Sequence, residues 1–537
     1  MNRFAALLES LIYTPSRNGK IRLLTEYFAS TPDPDRGWAV AAMTRDLDIK
    51  SVKPAMIKTL VEERVDPVLF GLSYDYVGDL AETVSLIWPG QEQRNYIPTL
   101  TDIVETLGEI SRQEAPSVVA DWFDALSPPA RWALIKLITG GLRIGVAARL
   151  VKLALAEFGG QPVQDIEELW HGLEAPYRDL FAWLEGRSPR PAQAAKAPFR
   201  PVMLAHPVEE KDQPKIDLTE MMAEWKWDGI RVQTVVEDGV KRLYTRTGDD
   251  ISGTFPDLLA SLNEEVAIDG ELLIFDPAIT DRFVVRPFND LQQRLNRKVV
   301  SKKLLEESPA FIRAYDLLWA RGEDLRPLPF SARRAHLEEI SQQGAFPRLD
   351  LSPVIPLSSW EALADLRANP PEDAIEGVML KRADAPYVPG RPKGQWWKWK
   401  REPFLVDAVL MYAQRGHGKR SSFYSDYTFG VWRTGKDGEE LVPVGKAYHG
   451  FTDLELKKID KFVRDHTIDR FGPVRAVRAT REEGLVFEVA FEGLQRSSRH
   501  KSGIAMRFPR INRLRWDKPT AEADRLETLE AMLPATA

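Results

Sequence analysis

A chain of 537 residues with 44% hydrophobic content is long enough for about three or four ordinary domains, each with its own core. It has no cysteine, which excludes disulfides, thiolate zinc fingers and iron–sulfur clusters, so any metal must be held by oxygen or histidine. The net charge of −6 argues against a surface that is basic throughout but hides local patches. Residues 493–518 carry eight Lys or Arg against one Asp, which reads either as a phosphate-binding surface or as a solvated basic strand.

From residue 1 to about 186 the apolar spacing is helical. Phe4, Leu7, Leu8, Leu11 and Ile12 mark one buried helix face, interrupted by Glu9 and without a basic leader, so the N-terminus does not read as a signal. No apolar run approaches the length of a membrane span, and a soluble cytoplasmic protein is expected. Leu134, Ile135, Leu137 and Ile138, then Leu150, Val151, Leu153 and Leu155, mark two further helices. Between them, Gly140-Gly141-Leu142-Arg143-Ile144-Gly145 places three glycines around an arginine. Its backbone amides and cation could face a phosphate, or the segment could be a plain helix–helix turn.

Residues 187–201 lose periodicity and fill with proline and alanine, as in Ser188-Pro189-Arg190-Pro191, which predicts a linker. Beyond it, short β-rich runs alternate with helices: Arg231–Val236, Val266–Ile268, Leu272–Phe275 and Gly377–Leu380. A mixed α/β domain is expected there. From about Phe404 the strand candidates are Val406–Tyr412, Tyr427–Trp432, Leu441–Ala447 and Val486–Phe491, whose spacing suits a small β-barrel, an OB-fold first among candidates.

The chemistry gathers in Lys226-Trp227-Asp228-Gly229, Asp269-Gly270-Glu271, Glu376-Gly377 and Lys398-Trp399-Lys400. A lysine, two carboxylates and two further lysines supply a nucleophile, metal ligands and phosphate-neutralising charge. A free lysine has a pKa of about 10.4, and bringing it to 7 takes roughly 4.6 kcal/mol of environment. Alternation along Trp396–Lys400 puts the Lys398 and Lys400 amines on one face, where they could disfavour protonation of Lys226 and neutralise a phosphate. Alone, the run is an aromatic-rich strand with snorkelling lysines. Glu271 and Glu376 each read as a strand-end carboxylate beside a glycine, suited to magnesium or ribose, or as ordinary turn acids. Tyr315 could stack on a purine or fill a core. Two decoys are set aside: Gly416-His417-Gly418-Lys419 lacks the phosphate-loop spacing, and Lys436-Asp437-Gly438 reads as a hairpin turn.

Taken in order, these residues resemble the ATP-dependent DNA ligases of the covalent nucleotidyltransferase superfamily. Glu224-Trp225-Lys226-Trp227-Asp228-Gly229-Ile230-Arg231 resembles motif I, which implies that Lys226 forms the lysyl-AMP while Glu224 and Arg231 hold the nucleotide. Arg246 in Thr245-Arg246-Thr247-Gly248 resembles the arginine that contacts phosphate and DNA. Asp269-Gly270-Glu271 is similar to motif III, implying that Glu271 binds ribose and helps with metal. Tyr315 stands where the family has its adenine-stacking aromatic. Glu376-Gly377-Val378-Met379 resembles motif IV, with Glu376 the main metal carboxylate, and Trp397–Lys400 resembles motif V, with Lys398 and Lys400 on the α-phosphate. Arg507–Lys518 resembles motif VI, whose Arg515-x-Asp517-Lys518 end engages pyrophosphate. Asp407 matches the hinge position. Gly78-Asp79-Leu80-Ala81-Glu82 and Gly141–Gly145 resemble the helical DNA-binding domain, with a phosphate contact at Arg143. The chain departs from the pattern at Trp225, Trp227 and Thr245.

The resemblance implies a multidomain protein: an all-α DNA-binding domain over 1–190, an α/β (α+β) adenylation domain over 200–402 and a β-barrel OB-fold over 403–537. It implies ATP and Mg2+ (or Mn2+) as cofactors and a monomer acting on nicked double-stranded DNA, without membrane association, in the cytoplasm at the nucleoid. Three readings compete: an RNA ligase or mRNA capping nucleotidyltransferase, an NAD-dependent ligase, and a non-catalytic DNA-end scaffold. The N-terminal helices and the Arg-x-Asp-Lys ending disfavour the first, and the missing cysteine module disfavours the second.

Overall fold

The computed structural model describes residues 1–533 except 48, 78, 90–95, 193–195, 280, 296, 298, 299, 344, 345, 417–422, 436, 437, 498 and 499. Part of the expected linker, Gly78, and most of the two decoys therefore lie outside the described residues. The rest forms two compact units, one of residues 1–166, 173–191 and 403–533, the other of 167–172 and 192–402.

The first 184 residues are helical. In the helix Asn2–Tyr13, Phe4, Leu7, Leu8 and Leu11 are buried on the face that the spacing predicts. The helix Pro128–Ile138 starts with proline in its first turn and buries Leu134, Ile135, Leu137 and Ile138. Ala148–Gly159 ends where Gly160 turns left-handed at φ 59°. Asp79 caps the helix Leu80–Ile87 by accepting from the Glu82 amide, and its other carboxylate oxygen accepts from Lys136 at 2.5 Å. That ion pair joins the Asp79–Glu82 stretch to the helix leading into Gly140–Gly145. Lys20 donates to the carbonyls of Ile144 and Gly145 at 3.2 and 2.8 Å, closing the loop from below and leaving Arg143 exposed.

Residues 192–402 build two sheets. The strands in chain order are β1 (His206–Pro207), β2 (Met221–Trp227), β3 (Ile230–Glu237), β4 (Val240–Thr245), β5 (Val266–Ile274), β6 (Ala310–Ala320), β7 (Glu323–Asp324), β8 (Leu349–Leu351), β9 (Val354–Ile355), β10 (Ile375–Arg382) and β11 (Trp396–Lys400). One sheet runs β1-β11-β10-β2-β9 and the other β4-β3-β5-β6-β7, with β8 alongside β6. Strand β5 is continuous through Asp269-Gly270-Glu271, so Glu271 sits inside a strand and not at a strand end. The pattern broke there in sequence because both faces of this strand are buried: only Glu271 is more than marginally accessible in a run of core residues.

The C-terminal strands are β12 (Phe404–Arg415), β13 (Tyr424–Gly435), β14 (Gly438–Ala447), β15 (Thr467–Phe471), β16 (Val474–Val477), β17 (Val486–Phe491), β18 (Gly493–Arg496), β19 (Ile504–Arg507) and β20 (Arg510–Arg515). The long strand β12 pairs with β13 over Val409–Arg415 on one edge. On its other edge it pairs first with β17 and then with β16. A bulge at Met411 bends β12 and a second at Ser425 bends β13, and the curled sheet closes over a core that includes Val406, Leu410, Tyr427, Phe429, Phe487 and Val489. All four expected strand segments fall inside these elements.

Candidate functional site

Register decides which side chains share the cleft. Across β2, β10 and β11, Gly377 is paired with Lys226 and Lys400, Met379 with Glu224 and Lys398, and Lys381 with Met222 and Trp396. Directly paired residues of antiparallel strands project to the same side, so Lys226, Glu224, Lys398, Lys400, Met379 and Lys381 occupy one face. The alternate residues Trp225, Val378, Leu380, Trp397 and Trp399 pack on the opposite face in an apolar cluster. The Trp-Lys-Trp-Lys alternation thus has a physical meaning: tryptophans anchor the strand from behind and lysines line the cleft.

Two functional side chains are the extra residues of bulges. Glu376 stands between the pairs Ile375–Trp227 and Gly377–Lys226, and Tyr315 between Asp269–Asp316 and Gly270–Ala314. An extra residue re-aims its side chain relative to the regular alternation. Gly377 makes the first bulge possible: its φ is 151°, and a Cβ there would stand 2.3 Å from the Trp399 carbonyl oxygen.

Lys226 donates a hydrogen bond to Glu376 Oε1, and Lys400 lies 3.0 Å from Glu376 Oε2. Burial works to raise the Glu376 carboxyl, but Lys226 and Lys400 outweigh it and hold it below its usual value. Glu271 behaves oppositely: burial pushes its carboxyl up to about 8, with Lys226 opposing and Glu376 reinforcing the shift. The Lys398 ammonium is pushed down from the ordinary lysine value by burial, then by Lys226 and Lys400. Burial thus disfavours the charged form at both Glu271 and Lys398, and at Lys398 the neighbouring lysines add to it.

Arg231 forms a fork with Asp269 at 3.0 and 2.5 Å and also donates to the Met203 carbonyl at 2.6 Å. Tyr387 donates to Asp269 at 2.7 Å and accepts from Arg231 at 3.1 Å. Arg231 is cross-strand partner to Glu271, so the fork fixes the edge of the cleft next to that carboxylate. Glu224 is buried, its two oxygens taken by Arg334 at 2.8 Å and Lys381 at 2.5 Å. Removing one cation from such a buried pair costs roughly 3–5 kcal/mol. Arg333, on the same helix Phe330–Gln342 as Arg334, forms a fully buried fork with Asp316 at 2.7 and 2.9 Å.

Arg246 is exposed at the tip of the turn after β4, where Asp249 accepts from Thr247 at 2.5 Å and Thr245 at 3.1 Å. Among the C-terminal strands, Asp407 Oδ2 accepts from Lys518 at 2.7 Å and Arg515 at 3.2 Å. Arg515 also pairs with Asp517 at 2.9 Å. Asp407 lies inside β12, and its backbone exchanges two hydrogen bonds with Asp524 at 2.7 and 2.8 Å. The structure thus brings Lys226, Glu376, Glu271, Lys398, Lys400, Arg231 and Tyr315 to one cleft, with Glu224 on the same face and paired with Arg334 and Lys381. Arg515, Lys518 and Asp407 form a second cluster. Arg143 belongs to the helical segment.

Sequence reasoning missed Tyr387, Lys381, Arg333 and Arg334. Lys381 was reachable, since it follows Met379 at the strand period of two. Tyr387 and Arg334 have partners more than a hundred residues away in sequence.

The carboxylates of Glu271 and Glu376 fit a divalent cation: both are hard oxygen donors, and a cation would favour the charged form of Glu271 that burial opposes. Among the described residues no group of three or more His, Asp or Glu side chains converges on a metal site. A cation here would complete its coordination with phosphate oxygens and water. No helix of the described residues is long and apolar enough to cross a membrane.

Comparison with known proteins gives three family matches: "DNA ligase N terminus" over residues 1–156, "ATP dependent DNA ligase domain" over 202–400 and "ATP dependent DNA ligase C terminal region" over 420–518. A probable DNA ligase of Koribacter versatilis is 31% identical over 99% of this chain and 96% of its own length. A probable DNA ligase of Streptomyces avermitilis is 30% identical over 99% of both. A solved structure named Pmar-Lig_PreS3 superposes with a TM-score of 0.58 over 95% of this chain and 99% of its own, at 15% identity, a likeness of fold.

Proposed function

This chain belongs to the ATP-dependent DNA ligases, and on that premise we propose that Lys226 is its adenylated nucleophile. The observation that carries the reading is the shared carboxylate: Glu376 is held by Lys226 and Lys400 together, which aims the reactive amine and the phosphate-binding cations at one point. The ligases of this family use ATP and a divalent cation.

Three in-line phosphoryl transfers follow. The Lys226 amine attacks the α-phosphorus of ATP; a phosphorus–nitrogen bond forms as the bond from the α-phosphorus to the bridging oxygen breaks, and pyrophosphate leaves. The 5′-phosphate of a nick then displaces Lys226, and the 3′-hydroxyl attacks that activated phosphate and expels AMP. Lys398 and Lys400 neutralise the α-phosphate, and the depressed affinity of Lys398 for its proton fits a site that gains an anion only when loaded. Tyr315 stacks on the base, and Arg231, fixed by Asp269 and Tyr387, steadies the ribose side. Glu376 and Glu271 would hold the divalent cation, which would supply neutralisation of phosphate charge. Arg515 and Lys518 engage the departing pyrophosphate, which requires Asp407 to give them up. The expected hinge residue Asp407 lies inside β12, which is paired from Phe404 onward, so a domain rotation would turn on the chain before Phe404. Arg246 and Arg143 contact DNA phosphates, a sequence-independent and salt-sensitive role. The division into domains 1–190, 200–402 and 403–537, and action as a monomer in the cytoplasm at the nucleoid, belong to the same reading.

The test is nick sealing. A duplex with one 5′-phosphate/3′-hydroxyl nick is incubated with enzyme, magnesium and either ATP or NAD. Sealing with ATP, none with NAD and none by Lys226→Ala is expected. Sealing by folded Lys226→Ala would overturn the assignment, and preferential sealing of nicked RNA would move the substrate to RNA.

A further inference from the structure

Lys381 is among the largest fully buried side chains of the molecule, and none of the chemistry above uses it. Its ammonium lies 2.5 Å from Glu224 Oε2, out of line for a regular hydrogen bond. It is otherwise surrounded by rings: 4.5 Å from the centroid of Tyr315, 4.6 Å from Phe330 and 4.7 Å from Trp396. A buried lysine is tolerated only with its charge compensated. One carboxylate and three ring faces compensate this one. Because Lys381, Met379 and Glu224 share the cleft face, this cage lies beside the residues that take the nucleotide base in the reading above.

We propose that Lys381 is a positioning residue for base selectivity, pinning the Glu224 carboxylate as an acceptor and backing the Tyr315 ring. The inference rests on the assignment of this cleft to ATP. An ionised carboxylate only accepts hydrogen bonds, so it favours a purine with a 6-amino group and rejects one with a 6-oxo group. Glu224 is buried, and burial raises its carboxyl, with Lys381 and then Arg334 opposing. Without Lys381, Arg334 remains at the other oxygen and shares itself with Glu338 at 2.7 Å, while Asp316 disfavours a second negative charge. Glu224 would then take up a proton, become a donor and accept the 6-oxo base. A purely structural lysine would instead affect every nucleotide alike.

The test compares formation of the enzyme–nucleotide adduct from ATP and from ITP, which carries a 6-oxo group and no 2-amino group. Wild type, Lys381→Met and Lys381→Met/Glu224→Gln are used, each checked by thermal melting. The double variant removes both charges together and so remains foldable if the single one does not. Both variants are expected to lower the ATP-over-ITP ratio of kcat/KM by about tenfold or more, chiefly through the KM for ATP. A folded double variant with the wild-type ratio, or a single variant in which ATP and ITP fall equally, would overturn the proposal. Wild type that forms no adduct with ATP would instead refute the underlying reading.

Discussion

The cleft around Lys226 and the cluster around Asp407 both pair cations with carboxylates, yet they are built differently. In the cleft, Lys226, Glu376 and Lys400 come from three strands, and two of the decisive side chains, Glu376 and Tyr315, are bulge residues. In the C-terminal cluster, both cations come from one four-residue stretch and meet at Asp407, with Arg515 also reaching Asp517 and Glu488. The first arrangement fixes geometry that chemistry needs. The second resembles a parking place, since few contacts must break for Arg515 and Lys518 to reach a phosphate.

If that contrast is right, the largest effect comes from the cleft. Lys226→Ala is expected to abolish adenylation while leaving the melting temperature close to wild type, which labelling with α-labelled ATP would register. Glu376→Ala should follow, slowing adenylation by about 10²–10⁴-fold because Lys226 loses its guide and the cation a ligand. Adenylation at a near-normal rate in that variant would erase the distinction between the two regions.

The cluster should show step dependence instead. Arg515→Ala and Lys518→Ala are expected to slow adenylation by ATP about 10²-fold but to leave sealing of a pre-adenylated nick within severalfold of wild type. Equal loss in both assays would mean that the cluster is fixed structure like the cleft.

A smaller effect sharpens the electrostatic side. Glu271 takes up its proton near pH 8 when folded and near 4.5 as the ordinary reference. Between these values the folded state holds a proton that the unfolded chain has lost. The stability this group contributes is therefore complete below about 4.5 and disappears as pH rises through about 8. In metal-free buffer, the melting advantage of Glu271→Gln over wild type should grow across that window, by at most about 1.4 kcal/mol per pH unit. An advantage that shrinks with rising pH would reverse the assignment. Smallest of all, Arg143→Ala should weaken binding of nicked DNA a few-fold and reduce the salt slope by about one.

How much of this was legible in the sequence follows the same division. Alternation at Trp396–Lys400 was enough to place two lysines together, because a strand's period is local information. The cluster at Arg515–Lys518 was visible as charge density. The carboxylates were legible only in part: both read as strand-end acids, which holds for Glu376 near the start of β10, whereas its insertion as a bulge residue and the place of Glu271 inside a continuous strand depend on how strands register. Tyr387 and Arg334 gave no local signal. Their partners, Asp269 and Glu224, lie more than a hundred residues away, and only the folded sheets bring them together.

The central claim is that one amine carries the nucleotide, and peptide mapping tests it most directly. Enzyme treated with ATP and magnesium, quenched and digested, should yield AMP on the peptide containing Lys226 and on no other, with loss of that AMP when nicked DNA is added before quenching. AMP on Lys398, Lys400 or any other residue, or none at all in enzyme that seals nicks, would contradict it.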